Sequence, residues 1–239
     1  MQKILAIISV GIRQMVADPV QMMFLLALPI LMTWVMSFLP VDAYEMAILG
    51  VLVMFVALNL ITSAGGYILE EKETGTWQRM RASTTSYWHI IIGYFIRLFV
   101  TGLAQALILL LSSKYLFGAP WQQGYWATVL VLSIYIFAMT GVGLFLAGFV
   151  KTQGQVQALA MGVVMVGTML GGVFFPIDNA SPFIRGIAQI SPQSWAATAL
   201  RDLLTAGGSL SLLMGPLLWM GGIGLVLLAG GVIKLQMEG

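Results

Sequence analysis

Charge is what this sequence has least of. Lys, Arg, Asp and Glu together make up 8% of its 239 residues, against about 25% in ordinary globular proteins, and no soluble surface can be built from so few. Cysteine is absent, which excludes disulfides, thiolate metal sites and cysteine nucleophiles together and leaves the redox compartment unreadable. His89 is the only histidine, so metal sites built on paired imidazoles and Ser-His-Asp catalysis have no foundation; it reads as an interfacial side chain. None of the five lysines, Lys3, Lys72, Lys114, Lys151 and Lys234, follows a glycine, which removes the Gly-Lys-Ser/Thr turn of a P-loop. The expectation is a chain with no catalytic residues, no metal and no ATP hydrolysis of its own by that route. The net charge of +2 rests on too few groups to indicate a nucleic-acid partner.

Apolar residues, by contrast, reach 59%, and the mean hydropathy is +0.96. At about 20 residues per bilayer crossing, six crossings use roughly half of the chain and leave only short connections. Residues 1–239 therefore read as one all-α, polytopic membrane domain. Residues 1–18 follow an amphipathic pattern, with Ile4, Leu5, Ile8, Ile12, Met15 and Val16 on one arc and Gln2, Ser9, Arg13 and Gln14 opposite. That arrangement suits a helix lying in the interface, carrying Lys3 and Arg13, or a plain extension of the first span. No small-x-small cleavage pattern follows it, so it is expected to be retained rather than removed as a signal.

Apolar runs then mark six spans, at about 20–38, 46–69, 88–111, 125–150, 156–175 and 212–235. Pro29 is expected to kink the first, and an acidic connection, 41–45, separates the first two. Six crossings put both ends on one side. The positive-inside bias makes that side cytoplasmic: Lys3, Arg13, Lys72, Arg79, Arg81, Lys151 and Lys234 lie there, against Lys114, Arg185 and Arg201 outside. Trp121, Tyr125 and Trp126 suit the outer aromatic belt, Tyr87 and Trp88 the inner one. Arg97, within or near the third span, is expected to snorkel.

Glu70, Glu71, Lys72, Glu73, Arg79 and Arg81 concentrate six formal charges in one connection. Glutamates at a helix carboxyl end oppose the macrodipole, so helix stability alone does not account for them. Thr74 and Thr76 beside Gly75 suit a turn capping a new short helix, from which Trp77 and Met80 project together. Such a surface fits docking to another protein; a solvated loop is the alternative. Later, Ser181-Pro182 and Ser191-Pro192 each offer a capping oxygen and a proline at the first helical position. The two helices they start are too short to cross, and 177–206 reads as an outer re-entrant pair or as a hairpin resting on headgroups. Within the spans, Asn59, Thr62, Ser63, Thr101, Gln105, Thr140 and Thr168 are either helix-joining groups or mild contacts along a substrate pathway. Glycines at small-xxx-small spacing describe packing within the bundle or a dimer seam.

The run EEKETGTWQRMRAS, Glu70 to Ser83, together with Arg13, Asp18 and Pro19 near the start, a proline in the first span and the late GGVFFPIDNASPFIRGIAQISPQSWAATALRD, resembles the permease subunits of type-two ABC exporters, bacterial drug exporters among them. The resemblance covers nearly the whole chain, although Thr84-Thr85 stands where a proline is common in that family. It implies that residues 70–86 are a cytoplasmic coupling segment docking on separate ABC ATPase subunits, which would hold ATP and Mg. Glu70, Glu71, Glu73, Thr74, Gly75, Thr76, Trp77, Arg79 and Met80 would make the contact. It implies a second permease subunit in a homo- or heterodimer, an outer gate at Phe174, Phe175, Pro176, Phe183 and Trp195, and export of a lipophilic, drug-like or lipid-linked substrate by alternating access. An ion-driven transporter or channel and a membrane scaffold are the alternatives; an ion-coupled carrier needs an ionisable group near mid-membrane, and only Arg97 approaches that role. The orientation has a direct check in this cysteine-free background: a single cysteine at Ser181 or Ser191 should react with an impermeant reagent added outside, and protection at both positions would reverse the assignment.

Overall fold

The computed structural model describes residues 19–75, 79, 87–121, 125–174, 180–204 and 213–237, and all regular elements among them are helical. The amphipathic start, with Lys3 and Arg13, lies outside the described residues, as do Thr76, Trp77, Met80, Phe175 and Pro176.

Helix α1 runs from Pro19–Met22 through a π-helical turn, Met23–Ala27, into Leu28–Met36. The π turn sits where Pro29 requires it. In a regular helix the proline ring collides with the carbonyl of residue 25 and supplies no N–H to it. Here the Leu28 N–H reaches back to the Met23 carbonyl instead, a one-residue expansion of the kind that absorbs such a conflict. The expected disturbance at Pro29 thus takes the form of a π turn.

Helix α2, Val41–Glu73, follows extended Pro40 and has 33 residues. At about 1.5 Å per residue it is roughly 50 Å long, more than the hydrocarbon thickness of about 30 Å. Both flanks that the hydropathy pattern assigns to connections are therefore helical: the acidic residues 41–45 form its first turn, and Glu70 to Glu73 its last. Helices α3 (Tyr87–Tyr115), α4 (Tyr125–Ala147) and α5 (Gln153–Met165, continued by a π turn at Val166–Leu170) follow, then the short α6 (Pro182–Ile190) and α7 (Pro192–Leu204), and finally α8 (Met214–Met237). Among the described residues, α2, α3, α4 and α8 are long and apolar enough to cross a membrane, and Met23–Met36 is a shorter apolar helix.

The bundle is organised around α4, which packs on α2, α3, α7 and most extensively on α8. Tyr135 is fully buried and its hydroxyl donates to the Val53 carbonyl at 2.8 Å, tying α4 to α2. Against α8 the approach is backbone to backbone: a β-carbon at Gly141 would stand 2.5 Å from the Gly224 carbonyl oxygen, and one at Gly231 would stand 2.7 Å from the Phe145 nitrogen. These small residues close a seam inside the bundle, which resolves the choice left open by their spacing for this pair of helices.

The two short helices differ in depth. Helix α7 buries Ala196, Ala197, Ala199, Leu200, Leu203 and Leu204, whereas α6 buries only Ala188 and leaves Phe183 75% exposed. Ser181 and Ser191 do cap them, accepting from the Ile184 and Ser194 N–H groups respectively, each at 3.4 Å. Ser191 is buried, however, so labelling from outside can be read at exposed Ser181 alone. One aromatic assignment also changes. Trp126 is 89% exposed, as a belt residue should be, but Trp121 is buried and donates its indole N–H to Ser113 Oγ at 2.8 Å.

The α4–α8 seam makes a stability prediction. Gly141→Ala should destabilise the purified chain by about 1–3 kcal/mol, the range for overpacking. Gly222→Ala, where a β-carbon meets nothing within 4 Å, should leave the thermal midpoint in detergent unchanged. Equal midpoints for the two variants would show that the seam is not tight.

Candidate functional site

A cavity of about 540 Å³ lies between α1, α2 and α5, within the size range of small-molecule sites. One face of α2 forms its main wall, through two adjacent rows at i, i+4 spacing: Phe55, Asn59, Ser63 and Tyr67 in one, Leu58, Thr62, Gly66 and Glu70 in the other. Gln153, Gln157 and Met161 form a matching row on α5, and Phe24 and Leu25 close the side from α1.

Behind this wall the polar side chains form a directed chain of hydrogen bonds. Ser63 Oγ donates to Asn59 Oδ1 at 3.1 Å, Asn59 Nδ2 donates to Gln105 Oε1 at 3.0 Å, and Gln105 Nε2 donates to the Leu25 carbonyl at 2.8 Å. Leu25 stands four residues before Pro29, so its carbonyl is the one that the missing proline N–H leaves without its regular helical donor. Gln105, 1% exposed, supplies that donor from α3 and thereby joins α1, α2 and α3. Thr62 Oγ1 returns its proton to the Leu58 carbonyl at 2.7 Å.

Of the expected pathway residues, the structure thus brings Asn59, Thr62 and Gln105 to one place, the first two on the cavity wall. Thr101, Thr140 and Thr168 do not line it. Thr101 and Thr168 bond to carbonyls of their own helices, at Leu98 (3.1 Å) and Val164 (2.7 Å), while the fully buried Thr140 hydroxyl has no hydrogen-bond partner among the described residues.

At the far end of the wall, α2 stops at Thr74, whose hydroxyl donates to the Glu70 carbonyl at 2.9 Å, and turns at Gly75, with φ of +69°. That φ lies in the left-handed region that suits glycine at a helix end. Thr74 accordingly closes α2 and does not open a new helix; the Arg79 N–H then donates to the Gly75 carbonyl at 3.3 Å. Glu70 to Glu73 belong to the helix that walls the cavity, not to a separate coupling helix. Glu70 lines the cavity and is exposed at its rim, Glu71 accepts a hydrogen bond from Tyr94 of α3, and Glu73 and Arg79 are exposed without lining the cavity. Arg97 does not snorkel. It is 6% exposed, with its guanidinium carbon 3.6 Å from the centroid of the Tyr67 ring, a cation–π stack. Among the described residues no group of His, Cys, Asp or Glu is placed to hold a metal ion.

Around α7 the structure is densely interlocked. Ser191 Oγ stands 3.0 Å from the Gly167 carbonyl, within the π turn of α5, and the Gln193 amide lies where a β-carbon at Gly167 would be. Of the expected gate residues, Phe174 lays its ring against Gly50 of α2, where a β-carbon would meet it at 2.5 Å. Trp195 donates its indole N–H to the Gln189 carbonyl at 2.8 Å. Phe183 is exposed on α6.

Comparison with known proteins then decides the family. The model of the ABC-2 type transporter family matches residues 2–205. The chain belongs to the ABC-2 type transporter family. The linearmycin resistance permease protein LnrN of Bacillus subtilis (strain 168) is 35% identical over 167 residues, covering 70% of this chain and 43% of that protein. The probable multidrug ABC transporter permease YbhS of Escherichia coli (strain K12) is 23% identical over 158 residues, 63% of this chain and 42% of that protein. ABC transporter G family member 20 of Dictyostelium discoideum is 25% identical over 157 residues, 65% of this chain and 21% of that protein. The chain thus spans less than half the length of these curated relatives.

Sequence reasoning on this ABC-2 chain missed Tyr67, Gln153 and Gln157 as cavity residues. The i, i+4 rows of α2 were available as a signal, because residues 55, 58, 59, 62, 63, 66, 67 and 70 share one helical face. The pairing with α5 was not. The Gln105 bridge gives a testable cycle: Gln105→Leu should cost about 1–3 kcal/mol by stranding the Leu25 carbonyl and the Asn59 amide. Pro29→Ala, which restores a backbone donor to α1, should recover part of that loss in the double variant. Strictly additive effects on thermal stability would mean that Gln105 does not substitute for the missing proline N–H.

Proposed function

We propose that this chain is the membrane-spanning permease part of an ATP-driven exporter, crossing the bilayer six times with both termini cytoplasmic. In this reading α1 and α5 are the two additional crossings, each interrupted by a π turn, and α6 with α7 forms the outer re-entrant pair. Two permease chains, like or unlike, assemble with separate cytoplasmic ABC ATPase subunits, which bind ATP and Mg and supply the energy. The substrate is lipophilic, drug-like or lipid-linked and leaves through the cavity between α1, α2 and α5. The resistance and multidrug descriptions of the bacterial relatives support a drug-like cargo.

The observation that carries the reading is the continuity of α2. One helix of 33 residues presents the cavity wall on one stretch and ends in Glu70 to Glu73, at the sharp turn of Gly75. A displacement applied to that acidic corner moves the wall with it, because a helix without a break transmits motion as a rigid element. Glu70, Glu73, Thr74 and Arg79 are exposed at this corner, which supports their meeting an ATPase surface, alongside Thr76, Trp77 and Met80 as the family resemblance implies. The amphipathic segment with Lys3 and Arg13 would lie against the same side.

The test separates docking from folding. Glu71 is bonded to Tyr94, so the cleaner substitution is Glu73→Lys on the exposed face. It should weaken co-purification of the ATPase and lower its stimulated activity by about threefold to tenfold, the scale of a reversed rim charge, with membrane insertion intact. Unchanged co-purification and transport in Glu73→Lys combined with Arg79→Glu would place the docking surface elsewhere. A purified, active particle without any nucleotide-hydrolysing subunit would overturn the reading altogether.

A further inference from the structure

The cavity has a polarity gradient along its length, and two helices share it. On α2, Phe55 and Leu58 stand at one end, Asn59, Thr62 and Ser63 in the middle, and Glu70 at the other. Helix α5 runs antiparallel to α2: a β-carbon at Gly65 would touch Val156, and one at Gly66 would lie 3.8 Å from Gln153 Oε1, while Phe174, beyond the far end of α5, lies on Gly50. Gln153 and Gln157 therefore stand toward the Glu70 end and Met161 toward Phe55. Both walls grade from amide or carboxylate to apolar in the same direction. From Phe55 to Glu70 the α2 wall extends roughly 22 Å at about 1.5 Å per residue, which suits an extended chain better than a compact ring system.

The charge on the described lining of the polar end has one sign. Among the described residues that line the cavity, Glu70 alone carries a formal charge. Glu71 is turned toward Tyr94, and Arg97 stacks on the Tyr67 ring without joining the lining. The carboxylate that reaches the cavity is Glu70, and no lysine or arginine is among the described residues that line it. A negative group at the rim of a partly apolar cleft attracts cations and repels anions more strongly than it would in open water.

From these observations we infer that the cavity takes a single-chain amphiphile with a cationic head, an amine or quaternary ammonium, held at Glu70 with its tail running toward Phe55 and Met161. This rests on the reading of the cavity as the substrate pathway and adds to it the charge and shape of the cargo. Glu70 is then a specificity-determining residue, distinct from Glu73, which does not line the cavity.

The experiment uses the purified chain alone in phosphatidylcholine nanodiscs, where a coupling role of Glu70 has no readout. Radiolabelled dodecyltrimethylammonium and dodecyl sulfonate, below their micellar concentrations, are each titrated against the chain and against empty discs. The wild-type chain should bind the ammonium saturably above partitioning and the sulfonate not at all. Glu70→Gln should weaken ammonium binding about tenfold, the scale of one lost ionic contact; Glu70→Asp should retain most of it. Met161→Trp, which fills the apolar end, should abolish it. Equal ammonium affinity in Glu70→Gln, or saturable sulfonate binding by the wild type, overturns the inference; if Met161→Trp still abolishes binding, the cavity remains an amphiphile pathway. Absence of saturable binding of either probe overturns the inference and the pathway reading together.

Discussion

A backbone carbonyl that loses its helical donor in an apolar environment must find another, because water is not there to supply one. Pro29 creates that situation at Leu25, and Gln105 resolves it from another helix. The amide of Gln105 has a second end, which accepts from Asn59, and Asn59 accepts in turn from Ser63. One imino acid thus accounts for a row of polar groups that runs through three helices. The row sets where α1 lies against α2 and α3, and so it sets the side wall that Phe24 and Leu25 give to the cavity. Asn59 therefore has two roles: a link in this chain, and a polar point on the cavity wall.

The second organising feature is the length of α2. It carries the wall residues, the Tyr135 contact at Val53 and the acidic corner on one unbroken helix. Its termination is local and specific, with the Thr74 hydroxyl on the Glu70 carbonyl and Gly75 in the left-handed region. The π turns of α1 and α5, by contrast, occur in the two helices that flank the cavity. The wall is rigid and its two neighbours are each interrupted by a looser turn. In the proposed transport cycle, that difference would let α1 and α5 adjust while α2 moves as one piece.

The remaining contacts are made by small residues. Glycines of α4 and α8 meet backbone to backbone, and the alanine face of α7 enters the same core. Lipid tails are as apolar as leucine side chains, so association between membrane helices gains from close van der Waals approach rather than from hydrophobic burial. Ser191 and Gln193 add polar contacts at the point where α7 meets the π turn of α5. This interlocking ties the late short helices to the helix that forms one side of the cavity.

Several of these properties were legible in the chain itself. Low charge and long apolar runs required an all-helical membrane protein, since a helix satisfies its own backbone within one segment. Glu70 to Arg81 announced a chemically distinct corner, and Ser-Pro at 181 and 191 announced two helix starts. The order of these motifs carried the family resemblance. Other outcomes depended on what lies across from each residue. Glu70 and Glu71 are adjacent in the chain yet face a cavity and a tyrosine, because a helix turns about 100° per residue. Arg97 stacks on Tyr67 instead of snorkelling, and Trp121 is buried with Ser113 instead of joining a belt, because folding places a partner beside each. A residue's own chemistry states what it needs, and one chain read in order contains that much; which of several candidates meets the need is set by helices far apart in sequence, and only their packing decides it.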